Sequence, residues 1–144
     1  MKKLGILCCL LTLSFSSCSD DDNNNNISLD LLLKKWYYVS YEFEGDTFPY
    51  EHELCARDYI EIQSGGVAKD VLVAFCGDPI TYDIATGTWT LNGTNFTVTF
   101  NELELYVITG TITNLTTTTL RIKAQEDFDD DGTMETYYVN FTSI

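Results

Sequence analysis

Turn residues cut this 144-residue chain at intervals too short for long helices. From residue 35 onward, runs rich in Tyr, Thr, Val and Ile are interrupted at 45–49, 64–66, 77–79, 92–93, 101–102, 114–118 and 129–132, where Gly, Pro, Asn, Asp and Ser gather. β-Branched and aromatic side chains suit a pleated, half-buried surface, and the interrupting residues supply the backbone conformations of turns. Seven breaks define eight strands, beginning near Lys35, Arg57, Val67, Thr81, Asn95, Leu103, Thr119 and Met134. Most connections are short, so consecutive strands are expected to pair antiparallel.

Alternation within the runs gives each strand two unlike faces. A two-residue turn at Asn92-Gly93 would set Trp89 opposite Phe96, with Leu91, Val98 and Phe100 on the same face and Thr88, Thr90, Thr97 and Thr99 on the other. A turn at Asp131-Gly132 would set Ala124 opposite Val139 and Ile122 opposite Phe141. One apolar face in both hairpins fits a sheet with a single side on the core. The expectation is an all-β domain, an eight-stranded antiparallel up-and-down barrel, with a two-sheet sandwich as the rival arrangement. Ahead of it, residues 27–35 predict a short helix with Ser28 as N-cap and Asp30 in the first turn.

The first 26 residues are of another kind. Met1-Lys2-Lys3 precedes an apolar stretch from Leu4 to Leu13, too short to span a bilayer and typical of a secretory signal. Ser16-Ser17 directly before Cys18 resemble the lipobox of bacterial lipoproteins, in which cleavage before the cysteine leaves it to carry acyl chains. The acidic run after Cys18 resembles the surface-export tag of lipoproteins in the Bacteroidetes group. These resemblances imply a signal peptide at 1–17, lipid attachment at Cys18, a tether of Ser, Asp and Asn over 18–26, and a domain over 27–144. They imply an outer-membrane location, anchored by lipid and facing the cell exterior.

Compartment decides how the remaining cysteines are read. Cys8 and Cys9 would leave with the signal, so Cys55 and Cys76 would meet an oxidising space, where a disulfide is the expected state. A two-residue turn on Gly65-Gly66 sets these two opposite each other in a non-hydrogen-bonded pair, close enough to bridge. The same register puts Glu61 opposite Asp70, an unfavourable pairing that predicts a bulge.

The formal charge is -14, and loss of 1–17 removes Lys2 and Lys3 but no acid, giving -16. A chain of that charge repels nucleic acid, and no nucleic-acid partner is expected.

Further residues resemble the lipocalin-like domains of Bacteroidetes lipoproteins. They are Leu32-Leu33-Lys34-Lys35-Trp36, Cys55-Ala56-Arg57-Asp58-Tyr59 leading to Ile60 and Ile62, Cys76, and Gly87-Thr88-Trp89-Thr90-Leu91 running to Asn92-Gly93. The resemblance covers about Leu29 to Phe141; Lys34 stands where many lipocalins have glycine. It implies a barrel that holds a small hydrophobic ligand. Trp36, Tyr38, Trp89, Phe96 and Phe100 are the aromatics expected near the interior, where such rings fill space as readily as they line a pocket.

Asp127, Asp129 and Asp131 followed by Gly132 match the first half of a calcium-binding loop, with Glu135 as a further carboxylate. Position twelve of that pattern is Tyr138 rather than a bidentate Glu, and an acidic hairpin turn accounts for the same residues without metal. His52 lies three residues before Cys55, but nucleophile or zinc chemistry there would need a reduced thiol. None of the familiar hydrolase, metalloprotease or phosphate-loop motifs occurs, and a non-enzymatic role is expected. Two functions follow: a ligand-binding barrel, or a solid barrel whose calcium-ordered loop meets a surface partner.

Overall fold

A computed structural model describes residues 27–101 and 105–144. The signal segment, Cys18 and the tether lie outside the described residues, as does the strand start expected at Leu103. α1 (Leu29–Leu32) leads into β1 (Lys35–Phe43), β2 (Asp46–Pro49), β3 (Tyr59–Gln63), a 3-10 turn (Ser64–Gly66), β4 (Val67–Phe75), β5 (Thr81–Asn92), β6 (Asn95–Asn101), β7 (Leu105–Leu115), β8 (Thr119–Glu126) and β9 (Glu135–Thr142). All pairings are antiparallel, in sequence order from β3 to β9, and β1 joins the two ends by pairing with both. This is the closed eight-stranded up-and-down barrel; the sandwich is set aside.

β2 is the strand that sequence reading missed. β1 continues past its short pairing with β3, and β2 folds back on that overhang from Ser40↔Pro49 to Phe43↔Asp46. The connecting residues Glu44 and Gly45 both have positive φ, 52° and 91°, as a tight hairpin turn requires. Pro49 ends the strand at the sheet edge, where its missing N–H costs nothing.

Strand direction gives the barrel two unlike ends. α1, the 3-10 turn and residues 116–118 sit where β1 begins, and this end is plugged. Leu32 and Trp36 are fully buried there. The Trp36 indole donates to the Leu32 carbonyl at 2.8 Å, and Lys34 Nζ donates to the Thr117 carbonyl. Above the plug lie Ile60, Ile62, Phe96, Val98, Phe100, Ile112, Leu120 and Ile122. The β1–β2 hairpin and residues 50–58, 76–80 and 127–134 surround the opposite end, the mouth.

Register departs from expectation in three places. At the β5–β6 turn the ladder runs on through Asn92↔Asn95, so Leu91 faces Phe96 and Trp89 faces Val98. Gly93, with φ of 61°, becomes the first central residue of the turn. Between β8 and β9 an eight-residue loop replaces the two-residue turn, and Ile122 faces Val139 while Ala124 faces Tyr137. Both shifts are by two residues, which leaves every side chain on its expected face.

At Gly65-Gly66 the error is odd. Three residues turn rather than two, with both glycines at positive φ, so Glu61 meets Lys69 instead of Asp70 and no bulge is needed. The disulfide nevertheless forms, because Cys55 and Cys76 lie beyond the ends of β3 and β4, with Cα atoms 5.6 Å apart. α1 is also shorter than expected, and the Ser28 side chain makes no capping bond.

Gly87 marks where β5 presses on β6. A Cβ there would lie 2.0 Å from the Thr99 carbonyl oxygen, so only glycine fits this approach.

Candidate functional site

β1 reverses its facing halfway along. Trp36 and Tyr38 point inward; the register then slips between Tyr38 and Ser40, so that Tyr41 pairs with Val139 and Phe43 with Tyr137. This bulge turns Tyr41 and Phe43 into the barrel at the mouth end. With Phe48, Glu126, Phe128 and Tyr137 they line an open groove of about 400 Å³. Phe128 comes from the acidic loop, packs edge-on against Phe43 at 5.3 Å and lies tilted against Tyr137 at 5.4 Å. Tyr41 and Tyr137 form the half-buried floor, whereas Phe48 and Phe128 are about half exposed at 51% and 52%. Burial is the main cause raising both floor phenols above their usual range.

Beside the groove lies a polar aromatic cluster. Tyr50 stacks on Tyr38 with ring centroids 4.8 Å apart and donates its hydroxyl to Asp58 Oδ2 at 2.7 Å. Asp58 Oδ1 accepts from the Val73 N–H, and Asp70 Oδ1 accepts from the Tyr38 hydroxyl at 3.1 Å. His52 Nδ1 accepts from the Asp58 N–H, which leaves Nε2 to donate to the Tyr38 carbonyl at 2.8 Å. Desolvation, ahead of the bond to Asp58, drives the Tyr50 hydroxyl far above its ordinary value. Desolvation likewise raises the Asp70 carboxyl above 3.8, against the lowering effect of the Tyr38 bond. His52 thus braces the loop before β3, and the Cys55 sulfur is held in the disulfide. Neither is free for nucleophilic or zinc chemistry.

The aromatics singled out from sequence sit deeper than the groove. Trp36, Tyr38, Phe96 and Phe100 belong to the buried core, and Trp89 packs against it while donating its indole N–H to the Gln63 carbonyl at 2.8 Å. None of the five lines the groove. The lining residues escaped sequence reading because simple alternation from Trp36 sends Tyr41 and Phe43 outward. Their own spacing around Glu42 was the available signal.

In the acidic loop, donor atoms of Asp127, Asp129 and Glu135 come within 4.8 Å of one another. The loop is folded by its own backbone: Asp127 accepts from the Asp131 and Gly132 N–H groups, and Glu135 accepts from the Phe128 N–H. Asp131 stands apart from the three, accepting from the Thr133 N–H at 2.7 Å.

A closed antiparallel barrel, plugged at one end by a helix and tryptophan and open at an aromatic mouth, defines a class of small up-and-down barrels. The sequence matches the lipocalin-like domain family over residues 32–122, more than half of its length, and the chain belongs to that family. No curated protein matches it. Among solved structures, it resembles a lipocalin-like protein from Bacteroides uniformis, with a TM-score of 0.54 and 11% identity, over 78% of this chain and 98% of the other. An uncharacterized protein from Bacteroides eggerthii is also similar, with a TM-score of 0.50 and 12% identity, over 76% and 98% of the two chains. At such identities the likeness is one of fold.

Proposed function

We propose that the protein is a lipid-anchored, non-catalytic lipoprotein of the outer membrane, facing the cell exterior, that binds a small hydrophobic ligand at the mouth of its barrel. The observation that carries the binding is the groove between Tyr41, Phe43, Phe48, Phe128 and Tyr137, with a cluster of buried core side chains behind it. An interior packed by Trp36, Phe96 and Phe100 favours a ligand seated in the mouth over one swallowed whole. The anchor rests on Cys18 and the residues around it. A tether over 18–26 would join the barrel at its plugged end, leaving the mouth at the far end.

Native mass spectrometry of the chain, exported to an oxidising compartment and kept from chelators, tests the binding. An organic mass that is lost on Tyr137→Ala supports it; a bare chain that also takes up no added hydrophobic probe overturns it. For the anchor, acyl-chain labelling should vanish in Cys18→Ala, and labelling that persists would refute attachment there.

The second reading is a surface interaction protein whose loop calcium orders, and the convergence of Asp127, Asp129 and Glu135 favours it. Calcium bound in that same experiment, and lost in Asp129→Ala with the fold intact, would shift the function to this reading.

A further inference from the structure

We infer that the mouth groove selects an organic cation, a small amphiphile with an ammonium group beside an apolar tail. This rests on the binding reading above and adds the sign of the ligand's charge. The groove presents five aromatic rings and one charged side chain, Glu126. The faces of Tyr and Phe rings carry negative electrostatic potential and attract ammonium groups, most strongly where water is excluded. Glu126 also stands directly opposite Glu135 across β8 and β9, a like-charge pairing that is unfavourable unless a cation offsets it.

Among the described residues, no lysine or arginine answers this charge. Among the described residues, Lys34 donates to Thr117, Lys35 to the Tyr59 hydroxyl, Arg57 to the Ile144 carbonyl and Arg121 to Glu42, all away from the groove. Lys69 faces Glu61 on the outer surface, and Lys123 is exposed on the outward side of β8. Asp127 and Asp129 add to the negative field on the same side of the mouth. An anionic tail, such as a fatty acid carboxylate, would meet Glu126 with nothing to pair it. An ammonium would meet rings and a carboxylate together.

The test uses the full chain in non-ionic maltoside micelles, with empty micelles as the calorimetric blank. Three probes share one tail and differ in charge: hexyltrimethylammonium, hexanol and hexyl sulfate. The cation is expected to bind about tenfold more tightly than the sulfate at low salt, the gap narrowing as salt screens the carboxylates. Glu126→Gln should remove most of that preference, and Phe128→Ala should weaken all three. Equal binding of the three probes would overturn the charge selection and leave the hydrophobic-ligand reading standing. Binding of none of them, or a dimer that buries the groove in light scattering, would overturn both.

Discussion

The Trp36 indole N–H and the Leu32 carbonyl, 2.8 Å apart, form a hydrogen bond between two fully buried residues at the plugged end of the barrel. One side chain thereby fills the barrel floor and satisfies the last turn of the helix that covers it. Trp36→Phe keeps most of the volume but removes one of the two hydrogen bonds to that carbonyl, which still accepts from the Lys34 N–H, at a cost of about 0.5–1.5 kcal/mol. Trp36→Ala adds a cavity and should cost about 3–5 kcal/mol. Urea denaturation followed by the fluorescence of Trp89 separates the two.

The Cys55–Cys76 bond ties the segment before β3 to the segment after β4, across a sequence separation of 21. The chain-entropy account assigns such a loop about 3 kcal/mol. The double variant Cys55→Ala, Cys76→Ala should lose that much stability yet keep its sheet signal in circular dichroism, since both cysteines lie outside the ladders. Loss of the sheet signal would mean that the bond is needed to form the barrel, not only to brace it.

Two glycines should respond differently to alanine. At Gly87 the added carbon strikes the β6 backbone, which must move; overpacking of this kind costs about 1–3 kcal/mol, and a backbone collision belongs at the upper end. At Gly93 there is open space but a φ of 61°, so the penalty is conformational alone, about 1–2 kcal/mol. Thermal melts of the two variants give the order, with Gly87→Ala melting lower.

Asp70 makes stability fall as pH rises. Its folded-state pKa is raised above 3.8 by burial, so the folded protein holds a proton that the unfolded chain releases first. Stability is therefore lost as pH climbs from near 3.8 through the higher folded value. Asp70→Asn keeps an acceptor for the Tyr38 hydroxyl and removes the titration. Its stability relative to wild type should improve over that pH range, in denaturant titrations at stepped pH; a constant difference would refute the assignment.

Turn chemistry made the strands legible, and two errors of register did no harm because they were even. The slips at Gly93 and in residues 127–134 left Trp89, Phe96, Ile122 and Val139 on the face that alternation assigns. The odd slip at Gly65-Gly66 exchanged one cross-strand partner of Glu61 for another, and nothing local in the sequence distinguishes a two-glycine turn of two residues from one of three. The groove was hidden for a related reason. The bulge near Val39 depends on how β1 meets β9, a hundred residues later in the chain, so Tyr41 and Phe43 change sides without any mark in their own neighbourhood. Hairpin signals report neighbours; barrel closure is decided between the first strand and the last.

Because β2, among the described residues, pairs only with the overhang of β1, through four residue pairs, it forms an edge with every residue exposed. Amides so placed open with little free energy, well before the closed ladders do. Phe48, one wall of the groove, rides on that edge. Hydrogen exchange in the β1–β2 hairpin would then report on the groove itself: ligand held against Phe48 slows exchange there and leaves the plugged end as it was.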